Sequence, residues 1–331
     1  MTLLTVDNLT LQFDTEEGRI TAVDNVSLSV NAGEVLGLVG ESGSGKSVTA
    51  KSIMQLNPSN SVYGPDSRIK LGLEDGEVDV LSLKTQKQLQ IVRGGSVSMI
   101  FQEPMASFAP AITIGSQMVE QLVLHKAISV KEATRISIEM LDRVGISEAE
   151  KRFHQYAFEL SGGMRQRAMV AMALSTNPKL LIADEPTTAL DVTIQAQVID
   201  LMKDLVSEFG MGIVFITHDL GVIAQTADRV AVMYLGRIVE QGTVRDVIRS
   251  PTHPYTQGLL NALPKLDDLN APLTPVPGDI PSPLERPSGC VFHTRCDLTQ
   301  KRCQETVPVM TSFGDDHDAS CFVAAEEKQA S

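Results

Sequence analysis

Tryptophan is absent from this 331-residue chain, aromatic residues make up only 4% of it, and cysteine does not occur before position 290. A chain this poor in large rings must fill its interior with aliphatic side chains, and 43% hydrophobic residues suffice for a sizeable core. Long apolar runs are missing too. No stretch of about 18 consecutive apolar residues exists, so the sequence offers no candidate for a membrane-crossing helix. The opening "MTLLTVDNLT" lacks the basic start and apolar core of a secretory signal, which makes the cytoplasm the expected compartment. Basic residues are scarce: 28 Lys and Arg face 41 Asp and Glu, for a formal net charge of -13. Such a surface is unsuited to nucleic acid, which requires clustered cations. No basic amphipathic segment would hold the chain on an anionic membrane, so membrane contact must run through a protein partner.

What is present is organised. Residues 1–30 alternate apolar and polar, as in "LLTVDNLTLQF" and "AVDNVSLSV", which predicts antiparallel strands meeting at the turn "DTEEG". The continuously apolar runs "VLGLVG", "SVSMIF", "KLLIAD" and "GIVFIT" predict strands covered on both faces, each followed by a loop and helical periodicity. The fold class is therefore α/β, with a centrally parallel sheet between helices. Strand signals vanish over about 104–160, where "SVKEATRISIEMLDRVGI" predicts an amphipathic helix ending at Gly145, so a helical insertion is expected. Residues 57–76 are turn-rich and predict a loop leading into a small β-layer. Pro264, Pro272, Pro275, Pro277, Pro281, Pro283 and Pro287 predict an extended, semi-rigid connector before the cysteines.

Three motifs carry chemistry. "GESGSGKS", residues 40–47, has the spacing G-x-x-x-x-G-K-[ST] between an apolar strand and a helix. Gly40, Gly43 and Gly45 let the backbone amides of Ser42, Ser44 and their neighbours turn toward a polyphosphate, and the helix start at Val48 adds partial positive charge. Lys46 can then reach the β- and γ-phosphates and Ser47 can ligate Mg²⁺. The blander alternative is an ordinary glycine-rich turn. "LLIADEP" ends a buried strand in two acids, Asp184 placed for the Mg²⁺ shell and Glu185 for polarising water, the alternative being a solvated capping pair. "LSGGMRQR", residues 160–167, places Ser161 at a helix N-cap followed by Gly162 and Gly163, with Met169, Val170, Ala173 and Leu174 as its apolar face. That helix start is a second anion site or simply a well-capped helix.

Taken together with "FQEP", "TTALD" and "ITHD", these motifs closely resemble the ATPase subunits of ABC transporters over residues 1–260. The resemblance implies a phosphate-loop NTPase fold with an antiparallel β-subdomain and a helical subdomain. It implies two ATP molecules sandwiched in a head-to-tail dimer, in which the Ser161 region completes the partner's site. By the same resemblance Gln102 senses Mg²⁺ and signals to the permease, Asp191 belongs to the D-loop, and His218 lies near the γ-phosphate. Phe13 sits where the family often stacks an aromatic on adenine, although its alternation with Leu11 also fits a core position. Many members read "SLNP" where this chain has "SFAP" at 107–110, in a region that faces the permease.

The four cysteines are spaced Cys290-x₅-Cys296-x₆-Cys303-x₁₇-Cys321, without the short pairs of zinc ribbons or the bacterial ferredoxin run. In a reducing compartment such a cluster reads as a metal site more readily than as disulfides. Soft thiolates on a short tail suit a metal or cluster that orders it. The tail further resembles the extension of the oligopeptide and dipeptide importer ATPases, which implies a [4Fe-4S] cluster, with zinc and unliganded thiols as alternatives. The expected organisation is an ATPase domain at 1–250 and a cysteine-rich extension at 251–331. The expected partners are two transmembrane permease subunits, a second ATPase subunit or another copy of this chain, and indirectly a solute-binding protein. The expected place is the cytoplasmic face of the membrane. The rival expectations are a soluble ATPase clamp acting on nucleic acid or ribosomes, and a transporter ATPase regulated by the redox state of its cysteines.

Overall fold

The computed structural model describes residues 1–73, 76–103, 107–187, 192–263 and 275–330. The chain forms two compact units, one from Met1–Leu4, Val30–Glu34 and Lys70–Ile216, the other from Thr5–Ser29, Val35–Ile69 and Thr217–Ser331. In chain order the strands are β1 (Thr2–Thr15), β2 (Gly18–Asn31), β3 (Val35–Val39), β4 (Ser61–Tyr63), β5 (Arg68–Leu73), β6 (Gly76–Asp79), β7 (Val97–Ile100), β8 (Leu180–Asp184), β9 (Gly212–Thr217), β10 (Arg229–Tyr234), β11 (Arg237–Thr243), β12 (Thr311–Gly314) and β13 (His317–Ala319).

In the first unit β7, β8 and β9 run parallel, with β8 in the middle and every one of its residues buried. An unbroken apolar strand has no face for water, so it must be covered on both sides, as the sequence pattern requires. Helices Ile114–Lys126, Val130–Arg143 and Ala149–Phe153 follow β7, which matches the helical insertion expected over 104–160. Val130–Arg143 starts because the Ser129 hydroxyl accepts from the Glu132 amide at 3.2 Å. It buries Ala133, Ser137, Met140 and Leu141, and it stops before Gly145, whose φ of 78° continues no helix. Burying a Met or Leu side chain stabilises by about 2 kcal/mol. The pairs of Arg135 with Glu132 and Glu139 on the same helix are exposed, so water screens them and they add little. Packing, not surface charge, holds this helix.

In the second unit β3 pairs in parallel with β10, and β10 pairs antiparallel with β11. The Asp228 carboxylate accepts from the Val35 amide at 2.8 Å and so fixes the start of β3. Beyond β11 the sheet continues into the C-terminal residues: β13 pairs with β11 from Glu240↔Ala319 to Gly242↔His317, and β12 pairs with β13. The described residues 251–263 and 275–330 thus share a unit with β3. Around Pro275, Pro277, Pro281 and Pro287 the chain is irregular apart from the short turn Pro283–Glu285, as a proline connector predicts. Pro264 and Pro272 lie outside the described residues.

One expectation is corrected. Residues 57–76 do not form a continuous loop, because β4 pairs with β1 at Leu11↔Tyr63 through Phe13↔Ser61, and β5 pairs with β6. Ile69 and Leu71 alternate into the interior and are fully or nearly fully buried. Glycine and proline on both flanks mask this two-residue period in the sequence.

Candidate functional site

The phosphate loop lies between β3 and helix Lys46–Ile53 in the second unit. Gly40 has φ 153° and a Cβ there would stand 2.1 Å from the Met233 carbonyl oxygen; Gly45 has φ 103° and a Cβ would stand 2.6 Å from the Ala22 carbonyl oxygen. Only glycine fits either position. The loop therefore lies against β10 and β2 without an intervening side chain. Lys46 is buried, and its ammonium donates to the carbonyls of Gly40 and Glu41 at 2.7 and 2.9 Å and to the Ser44 hydroxyl at 3.2 Å. A buried cation enclosed by loop carbonyls is charge already in place for an anion. Ser42 and Gly43 are exposed, Ser44 is buried, and Ser47 and Val48 are half-buried in the first turn of the helix. Phe13 is half-buried near the end of β1.

Glu41, to which the motif assigns no residue type, is held from behind. Its amide donates to the Tyr255 hydroxyl at 2.9 Å, and its carboxylate receives the Arg295 guanidinium at 2.7 and 3.2 Å. Burial, and after it the Glu41 carboxylate, push the Tyr255 phenol far up, so it stays neutral.

In the first unit Asp184 closes β8 and is 2% exposed. Glu185 follows with φ 48°, its amide donating to Ile216 at 2.9 Å, and its carboxylate accepts from the amide side chain of Gln102 at 3.2 Å. The structure thus brings together Gln102 and Glu185, two residues the motifs single out separately. A left-handed glutamate costs about 1–2 kcal/mol, a strain retained at sites where backbone geometry is part of the chemistry. Ser161 caps helix Gly162–Ser175 by accepting from the Met164 amide at 3.3 Å. Ser161 and Gly162 are exposed, Gly163 is half-buried, and a Cβ at Gly162 would meet nothing within 4 Å. Gln166, overlooked in the sequence, is buried and donates to the Pro186 carbonyl, which ties this helix to the residue after Glu185. Its position within "LSGGMRQR" was the available signal. His218 follows β9, belongs to the second unit and is exposed, next to Asp219, whose carboxylate caps helix Leu220–Thr226. Asp191 lies outside the described residues, as does Pro104 of "FQEP".

All four cysteines line a single small pocket together with His253 and Phe292. Cys290 is tied to Cys303 by an amide-to-carbonyl bond of 2.7 Å. Burial pushes the Cys290 thiol up to about 11 and also raises Cys296 and Cys321. Among the described residues no three His, Cys, Asp or Glu side chains are placed to hold a metal ion together, which leaves the expected metal-binding character without that support.

A strand, a glycine-built loop enclosing a lysine, a helix and a further strand ending in two acids define a phosphate-loop α/β protein. Comparison with known proteins narrows this. A family model described as ABC transporter matches residues 23–188, and one described as "Oligopeptide/dipeptide transporter, C-terminal region" matches 239–303. The chain belongs to the ABC transporter family. It is 48% identical over 326 residues to the oligopeptide transport ATP-binding protein AppD of Bacillus subtilis, covering 98% of each chain. It is 47% identical over 325 residues to the oligopeptide transport ATP-binding protein OppD of Salmonella typhimurium, covering 98% of this chain and 95% of that one. Among solved structures it resembles the dimeric ABC transporter cassette MJ0796, with a TM-score of 0.65, 27% identity, and coverage of 73% of this chain and 99% of that one. A second structure of MJ0796, in a post-hydrolysis state with ADP and Pi, matches with the same TM-score at 26% identity. Among the described residues no helix is long and apolar enough to cross a membrane.

Proposed function

We propose that this chain is the ATP-hydrolysing subunit of an ABC importer for peptides or chemically similar small solutes. One observation carries the reading: relatives named as oligopeptide transport ATP-binding proteins align with it almost end to end, tail included. The phosphate loop supports it, because a buried Lys46 within an amide-lined turn suits a polyphosphate. In this reading Lys46 binds the β- and γ-phosphates, Ser47, Asp184 and Gln102 serve the Mg²⁺ shell, Glu185 polarises the attacking water, and His218 stabilises the γ-phosphate. Phe13 stacks on adenine, while Ser161, Gly162, Gly163 and Asp191 act at the opposite site of a dimer with a related subunit or a second copy. ATP closes the dimer and moves two permease subunits, to which a solute-binding protein delivers cargo, and hydrolysis reopens it. The subunit is then peripheral, on the cytoplasmic face of the membrane, with an ATPase head at 1–250 and an extension at 251–331.

Cys290, Cys296, Cys303 and Cys321 would hold a [4Fe-4S] cluster, whose chemistry would be to order the extension and to make it sensitive to oxidation. What supports this is that four soft thiols share one pocket. Zinc is the alternative occupant of the same four thiols, and the lack, among the described residues, of three side chains placed to hold an ion bears on both readings alike. A clamp on nucleic acid or ribosomes is disfavoured by the net charge of -13.

Glu185→Gln tests the ATPase reading. The purified variant should bind MgATP as the parent does and lose hydrolysis by about 100-fold or more, and near-normal turnover would overturn the assignment. Iron and sulfide analysis of anaerobically purified protein tests the cluster, with about four of each per chain expected and their absence refuting it.

A further inference from the structure

Arg295 lies between Cys290 and Cys296, yet its side chain leaves the cysteine pocket for the phosphate loop. Its side chain is 3% exposed, and the guanidinium forks onto the Glu41 carboxylate. Its remaining donors are used as well: Nε bonds the Pro277 carbonyl at 2.8 Å and one terminal nitrogen bonds the Val276 carbonyl at 3.1 Å. Phe292, from the same short segment, is 3% exposed and packs edge-on against Tyr234 at 5.2 Å and tilted on Tyr255 at 5.3 Å. Tyr255 in turn receives the Glu41 amide. The Glu41 carbonyl accepts the Lys46 ammonium and the Ser44 amide. Glu41 is therefore gripped at its amide, its carboxylate and its carbonyl. The first two grips come from residues more than 200 positions away, and the third is the lysine that meets phosphate. Arg295 is buried and Glu41 half-buried, so removing the carboxylate leaves a desolvated guanidinium behind, and the two act as one joint.

We propose that Arg295, seconded by Tyr255, is a positioning residue for the phosphate loop, so that the ordered four-cysteine segment sets the affinity for MgATP. This rests on the nucleotide reading given above but not on which metal, if any, the cysteines bind. Coupling of this kind is reciprocal: bound MgATP also steadies residues 288–304.

The full-length purified protein tests it. Arg295→Met and Glu41→Gln break the joint from opposite sides, and each should raise the KM for MgATP about ten-fold, within the usual range of coupling between sites, with kcat changed less than about two-fold. The double variant should be no worse than either single, and Arg295→Lys, which keeps the charge but loses the fork, should fall between. Amide exchange over residues 288–304 should slow on adding MgATP to the parent and not to Glu41→Gln. A lowered melting temperature with unchanged KM in both singles overturns the proposal. Should Arg295→Met fail to fold, Glu41→Gln decides alone through its KM and its exchange pattern. Lys46→Ala separates the two readings: if it abolishes binding while the joint variants bind normally, only the joint is wrong, and if it binds normally the nucleotide reading itself fails.

Discussion

In the phosphate loop the backbone is relaxed wherever glycine permits it and the strong polar groups are held: Lys46 by three oxygens, Glu41 at amide, carbonyl and carboxylate. At the end of β8 the order is reversed, with Glu185 in left-handed backbone and an exposed glutamine against its carboxylate. The first region is set in advance, as tight binding requires, because groups already in place lose little entropy when the ligand arrives. The second stores strain in the very residue proposed to activate water, where a small rearrangement changes what the carboxylate faces. The proposed binding loop and the proposed water-activating residue thus differ in how their backbones are held.

The contrast can be broken on its firm side with Gly40→Ala. A methyl group 2.1 Å from the Met233 carbonyl cannot be accommodated, so the loop must shift. Strain of about 3 kcal/mol corresponds to roughly a 100-fold weaker Kd for MgATP, measured by titration calorimetry. A smaller effect is expected from Gln166→Ala, which strips a buried donor from the Pro186 carbonyl beside the strained glutamate. It should cost about 1–3 kcal/mol in denaturant unfolding and lower kcat without raising the Kd. Gln102→Ala sharpens the comparison most gently. Because Gln102 is exposed, unfolding free energy should stay within about 0.5 kcal/mol, while kcat falls a few-fold as Glu185 loses its neighbour.

The motifs made most of this legible. A strand such as "LLIAD" or a loop such as "GESGSGKS" carries its geometry in a few adjacent residues, since burial on both faces and close backbone approach restrict composition locally. β4 and β5 escaped because each is short and flanked by turn formers. The Gln166 bond spans 20 positions, and the Glu41–Arg295 pair spans 254. No periodicity connects such distant residues, and a charged residue at a variable motif position reads as solvated until its partner is seen.

The hairpin of β12 and β13 has one more consequence. It occupies the outer margin of β11, where Glu240, Gln241 and Gly242 pair with Ala319, Asp318 and His317. A protein shortened to its ATPase head would present that row of amides and carbonyls bare, a template for any passing strand. Truncation would therefore threaten solubility at the same time as it stripped Tyr255 and Arg295 from behind the phosphate loop, so the outer margin of the sheet and the loop lose their support together.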